Sequence, residues 1–436
     1  MNLTPLEPWI AHKIGRPSLL RAELEAYQLR RLQETLRLAR SRSGFYRRHP
    51  AGTPAELGSL ADLEQLPFTT AADLRANPLQ FVCVSQDAIR RVVTLDTSGT
   101  SGAPKRLYFT REDQDLTLDF FRVGMSTFTA PGDRVLILLP GERPGSVGHL
   151  LAAALRDLGA VPIPHGPGRP AQETLAVLAG APGTVLVGLP LQAFKLARAA
   201  ADGPAVRLKS ALLTADHVPE AVRRAVEQAF GGAVYNHYGM TEMGLGGGVD
   251  CAARRGYHLR EADLYFEVVD PASGQPLPPG AEGELVFTTL TRAGMPLIRY
   301  RTGDLARWLP GPCPCGTCLK TLAHIATRLD GRLPLAGPTG PATLTMADLD
   351  EALFAIEGLV DFAATLRLAA ADRLAELSVR VQAQAGDFDE HVLAAAVAAA
   401  LRSLPALAAG SVGLQVQVTR QPLAATGAAK RAIKIV

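Results

Sequence analysis

Between residues 134 and 236 short apolar runs alternate with helix-length segments, and this alternation restricts the fold more than any other feature of the chain. The runs Arg134 to Leu139, Thr184 to Val187, Ser210 to Thr214 and Ala233 to Asn236 are strand-sized. Gly148 to Leu158, Pro190 to Ala200 and Pro219 to Phe230 have the length and spacing of helices. Strand and helix in turn predict an α/β fold with a doubly wound, mostly parallel sheet. Such a sheet takes its ligand at the carboxyl ends of its strands, and Tyr238 to Glu242 lies just beyond one. Upstream, residues 18–42 carry Leu19, Leu20, Leu24, Leu29, Leu32, Leu36 and Leu38 among Arg and Glu, which predicts an amphipathic helix. The Ala-rich run Leu393 to Leu401 reads as a helix too. A chain of 436 residues is too long for one ordinary core, so two or more domains are expected.

Thr97-Ser-Gly-Thr-Ser-Gly-Ala-Pro-Lys105 has the composition of a phosphate-gripping loop. Gly99 and Gly102 let the chain turn and bring N–H groups up to a polyanion. Thr97, Ser98, Thr100 and Ser101 donate hydroxyls, and Lys105 neutralises charge. The apolar runs Val92 to Leu95 and Leu107 to Phe109 flank it, so it reads as the tip between two strands. A Walker A loop would need Gly-Lys-Ser/Thr opening a helix, which is missing here.

A net charge of +3 with scattered basic residues gives no reason to expect a nucleic-acid partner. The N-terminal residues lack the basic and apolar blocks of a signal peptide, and the longest apolar runs are strand-sized. A cytoplasmic protein with no membrane partner is therefore expected. Five cysteines in such a chain argue against a disulfide framework. Cys251 and His258 lie upstream of Cys313-Pro-Cys315, and together they would make a Cys3His zinc site. Cys318 is a spare that could replace His258, and four reduced cysteines without metal is the other reading. Cys83, in an apolar run, reads as core.

Tyr235-Asn-His-Tyr-Gly-Met-Thr-Glu242 and Tyr300-Arg-Thr-Gly-Asp304 follow the Thr97 loop in order. With the flanks Arg40 to Arg47, Leu66 to Arg75 and Gly283 to Leu290, the chain resembles the adenylate-forming superfamily in its phenylacetate–CoA ligase branch. The resemblance covers roughly residues 30–330 and is poor over the last hundred. It implies ATP-dependent activation of an aryl carboxylic acid as acyl-AMP, then transfer to CoA or another thiol.

The resemblance also implies roles. Glu242 would hold Mg²⁺ and Thr241 would bond the α-phosphate, while Tyr238, followed by Gly239, would stack on adenine. Asp304 would hold the ribose, Arg328 the phosphate or ribose, and Asp330 would be a hinge between residues 1–328 and a small α/β domain, 329–436. Relatives carry the same zinc elements. His149 and His237 are candidate contacts to the acid, and small residues at Gly145 to Gly148 and Gly244 to Gly248 would leave room for a ring. Thr214-Ala-Asp216 replaces a Gly-Gly-Glu next to adenine. The C-terminal tail departs most: relatives end in Gly-Lys-x-Lys-Arg, whereas Gly427-Ala-Ala-Lys-Arg431 puts Ala428 at the closure lysine and leaves Lys430 or Lys434 to substitute. Two rival readings follow, a catalytically weakened nucleotide or acyl-adenylate binding protein and an adenylyltransferase that stops before the thioester. A homodimer is left open.

Overall fold

The computed structural model describes the chain except residues 1, 49–53, 55, 96–103, 338–339, 369–374, 385–388, 409–411 and 424–430. Two compact units emerge, residues 1–167 with 235–325, and residues 168–234 with 326–436.

In the first unit the expected N-terminal helix runs Arg21–Arg42 and buries Leu24, Leu32, Leu36 and Ala39 along one side. It begins later than the leucine pattern suggests, because Leu20 is extended and exposed. Strands Arg91–Leu95 and Lys105–Phe109, the two expected on either side of the phosphate-type loop, pair antiparallel with Leu95 opposite Lys105. Helix Arg111–Met125 then starts at a reciprocal cap between Thr110 and Asp113. Strand Arg134–Ile137 crosses through helix Val147–Asp157 to a parallel partner, Val161–Pro164. That partner holds Pro162 and Pro164, which hide it from a sequence reading; it tolerates them as the last strand in its sheet.

Past residue 235 the pattern changes. Strand Ala233–Tyr238 pairs antiparallel with Gly248–Asp250, which pairs with Tyr257–Leu259, which in turn pairs with Thr321–Leu322. A separate antiparallel sheet joins Leu264–Val269, Gly283–Thr289 and Tyr300–Ala306. These antiparallel strands add to the parallel α/β pattern that alternation predicts. Tyr46, Phe81, Phe287 and Tyr300 are among the largest fully buried side chains of this unit's core.

The second unit contains parallel strands Thr184–Gly188 and Leu208–Thr214 with helices Ala171–Ala179, Pro190–Ala199 and Glu220–Phe230. It also holds a four-stranded sheet in which Leu359–Arg367 and Ala375–Ala383 are central, flanked by Lys434–Ile435 and Val412–Thr419. Helices Met346–Leu353 and Glu390–Arg402 complete it, the latter containing the Ala-rich run. No helix among the described residues is long and apolar enough to cross a membrane.

Candidate active site

Chain reversal at the end of strand Ala233–Tyr238 delivers Glu242 into the interior on a short 3-10 turn, Thr241–Met243. Gly239 is required there, since a Cβ at this position would lie 2.3 Å from the Leu245 carbonyl oxygen. Glu242 is 2% exposed, and a buried carboxylate is costly unless partnered. Its Oε1 forms a close ion pair with Lys105 Nζ and accepts 3.1 Å from the Tyr300 hydroxyl. Arg292, itself buried, braces the same turn by donating 2.7 Å to the Glu242 carbonyl while its guanidinium covers Phe109 at 4.4 Å. Thr241 lies half-buried in the turn.

Tyr238 and Asp304 meet directly, the hydroxyl donating 2.8 Å to Asp304 Oδ2. Tyr300 to Asp304 form the start of strand Tyr300–Ala306. Its geometry is set by neighbours: Thr302 Oγ1 donates 2.6 Å to Leu285 O and accepts 3.0 Å from Asp304 N, and Arg301 pairs with Glu284. The early flanks hold this strand from the other side. Thr69 N–H donates 3.0 Å to Arg299 O, and Arg301 N–H donates 2.9 Å to Thr69 O. Tyr46 OH takes a 2.9 Å bond from Ile298 N–H. In sequence these flanks serve only as marks of resemblance, whereas in the structure they fix Tyr300 and, through it, Glu242.

Several expected residues lie elsewhere or outside the described chain. Thr97, Ser98, Gly99, Thr100, Ser101, Gly102, Ala428 and Lys430 are outside the described residues. His149 is exposed, and its Nδ1 accepts 3.2 Å from Gly145 N–H within its own loop. His237 lies near the rings of Phe120 and Phe121, each 6.2 Å away, and burial pushes its imidazole down to about 4, so it is neutral near pH 7. Two of the glycines expected to leave room for a ring are explained by close packing: a Cβ at Gly246 would lie 2.4 Å from Phe120, and one at Gly148 would lie 2.8 Å from two backbone carbonyls. Arg328 pairs with Asp330 at 3.3 Å on the surface of the second unit. Asp216 accepts 2.9 Å from His217 N–H and 3.5 Å from Arg431 N–H. Lys434 sits in strand Lys434–Ile435 beside Thr365.

The cysteine cluster assembles in the first unit. Ligand atoms of Cys251, His258, Cys313 and Cys315 all lie within 4.8 Å of one another, and all four residues are buried. Cys251 and Cys313 sulfurs are 3.6 Å apart, close to the roughly 3.8 Å edge of a tetrahedron with about 2.3 Å zinc–sulfur bonds. His258 Nδ1 lies 3.3 Å from Lys320 O, which leaves Nε2 facing Cys315 at 3.4 Å. The donor set fits zinc. Cys318 is turned away, its thiol toward Leu19 O and its N–H donating 2.8 Å to Glu7.

Residues 56–291 match the model of the AMP-binding enzyme family. The phenylacetate-coenzyme A ligase of Aromatoleum evansii is 34% identical over 326 residues, 72% of each chain. That of Thermus thermophilus is 33% identical over 73% of this chain and 74% of its own. Among solved structures, a 2-hydroxyisobutyryl-CoA ligase in complex with 2-HIB-AMP matches with a TM-score of 0.80 at 24% identity, over 96% of this chain and 90% of that one, which supports the fold. With the motifs gathered around Glu242 and this extent of likeness, the chain belongs to the AMP-binding enzyme family, in its phenylacetate–CoA ligase branch.

Proposed function

We propose that the protein activates an aryl or arylacetic acid with ATP and passes the acyl group to CoA. The observation that carries this reading is the convergence of Lys105, Glu242, Tyr300, Tyr238 and Asp304 in one unit. In the first step a carboxylate oxygen attacks the α-phosphorus, the bond to the bridging oxygen breaks, and pyrophosphate leaves. Two anions must approach, so stabilisation of charge on the transferred phosphoryl dominates. Magnesium, when bound at Glu242, would neutralise phosphate charge. Thr241 and the Thr97 to Lys105 loop would hold phosphate oxygens, Tyr238 would stack on adenine, and Asp304 would accept from the ribose hydroxyls. Arg328 would add a cation. Lys434 belongs to a strand, so Lys430 is the tail cation we assign to the carboxylate. In the second step the thiol sulfur bonds the acyl carbon, the C–O bond to AMP breaks, and the thiol proton passes to solvent. Asp330 is proposed as the hinge that exchanges the two steps, separating residues 1–328 from 329–436.

Zinc at Cys251, His258, Cys313 and Cys315 would act as a staple, because four protein ligands leave no open position. Reduced thiols suit a cytoplasmic location. The decisive experiment measures pyrophosphate release with a panel of aryl acids, with and without CoA. Release with thioester formation is expected for at least one aryl or arylacetic acid. Acyl-AMP without thioester under saturating CoA would overturn the transfer step, and absence of ATP or AMP binding by calorimetry would overturn the whole reading.

A further inference from the structure

Asp250 ends the strand Gly248–Asp250 and is 1% exposed. Both of its oxygens are engaged: Oδ2 accepts 2.8 Å from Asn236 N–H, and Oδ1 lies 2.7 Å from His324 Nε2. A neutral side chain could cap a strand N–H without the cost of burying a charge, so this carboxylate needs a further reason. His324 supplies one. The carboxylate fixes the proton on Nε2 and with it the ring orientation. The ring meets Tyr257 edge-on at 4.9 Å, Tyr257 lies 5.8 Å from Tyr238, and the Tyr238 hydroxyl bonds Asp304.

Asn236 and Tyr238 are two apart on one strand and share a face. Asn236 is 7% exposed, and its Oδ1 is buried without a hydrogen-bond partner among the described residues. Asp250 therefore holds this strand twice, through the Asn236 backbone N–H and through the ring series His324, Tyr257, Tyr238. Sequence offers no hint of the pairing, since His324 lies 74 residues from Asp250 and belongs to no motif.

We propose that Asp250 and His324 are a positioning pair for the nucleoside half of the site, setting the Tyr238 ring and the Asn236 backbone before ATP arrives. The proposal rests on reading Tyr238 and Asp304 as nucleoside contacts. Neither member of the pair is asked to touch the reacting atoms. Loss of the pair should weaken ground and transition states alike, raising KM for ATP with little change in kcat.

The test uses the full chain carrying Asp250→Asn, His324→Ala or His324→Gln, with ATP affinity by calorimetry, steady-state kinetics and thermal melting. His324→Ala and Asp250→Asn should weaken ATP binding about tenfold, below the roughly hundredfold that ångström-scale misplacement costs reacting groups. The KM for the acid should stay unchanged, and His324→Gln, which keeps an N–H for Asp250, should recover part of the affinity. His324→Ala carries the test if Asp250→Asn does not fold. ATP affinity within twofold of the unmutated protein in folded variants would overturn the proposal. So would a parallel loss of ATP affinity, acid affinity and melting temperature, which is the mark of a general structural role. Asp304→Ala, measured alongside, separates the two levels: if it binds ATP normally, the nucleoside reading itself fails, and if it alone loses ATP, only the positioning pair fails.

Discussion

Asp304 shows how far a single side chain can be read from sequence. Its place in Tyr300 to Asp304 gives it the expected role of ribose contact, and the structure puts it in a buried bond with Tyr238, the expected adenine contact. Asp304→Ala should cost about 1.5–3 kcal/mol of nucleotide binding, as hydrogen bonds to a charged group do, and calorimetry with AMP reads it directly. Glu242 and Lys105 were also singled out from sequence, because each sits in a local motif, and the structure pairs them. Arg292, Asp250 and His324 were not. Arg292 reaches Glu242 across 50 residues and Asp250 reaches His324 across 74, and a lone Arg or His has no local pattern that declares a distant partner.

At the scale of elements, the knuckle carrying Cys313 and Cys315 joins the strand end at Cys251 and the strand Tyr257–Leu259 at His258. If zinc holds these together, metal analysis should give about one zinc per chain and a chelator should lower the melting temperature. A metal-free protein of unchanged stability would refute the staple. Helix Met346–Leu353 offers a different probe, since it buries Asp350. Burial raises that carboxyl to about 7 against the opposing pull of Arg431 at 3.3 Å, with Asp216, His217 and Glu351 also acting on it. The folded state then holds the proton more tightly than the unfolded chain, whose reference value is 3.8. Its contribution is full below about pH 4 and is lost as pH rises through about 7. Asp350→Asn should flatten that part of the profile of denaturation midpoint against pH. Three of the helices and the buried strands between 134 and 236 were legible because their period and length agree; helix Ala171–Ala179 and the antiparallel strands after 245 were not, and short segments such as Gly248–Asp250 have no period of their own.

For the whole molecule the open quantity is the rate of the first step. If Ala428 occupies the closure position that the resemblance implies and Lys430 does not take over its role, binding should be normal and adenylation slow, because a closure lysine acts chiefly on the transition state. Ala428→Lys should then raise acyl-AMP formation by about 10- to 1,000-fold, roughly 1.4–4 kcal/mol. An already fast protein that loses activity on neutralising Lys430 would instead identify Lys430 as the replacement.

Glu7, in the first helix, accepts from Thr317 Oγ1 and Cys318 N–H, across 310 and 311 residues. Lys13 in the same helix reaches Asp263. During synthesis at about 5–20 residues per second, that helix therefore waits roughly 15–60 s for its partner on the knuckle. Its buried face, with Leu6, Trp9 and Ile10, belongs to a unit that cannot close until residues near 318 have left the ribosome. A chain cut before the knuckle would lack those bonds altogether, so nascent chains shorter than this should remain open to protease and to chaperones.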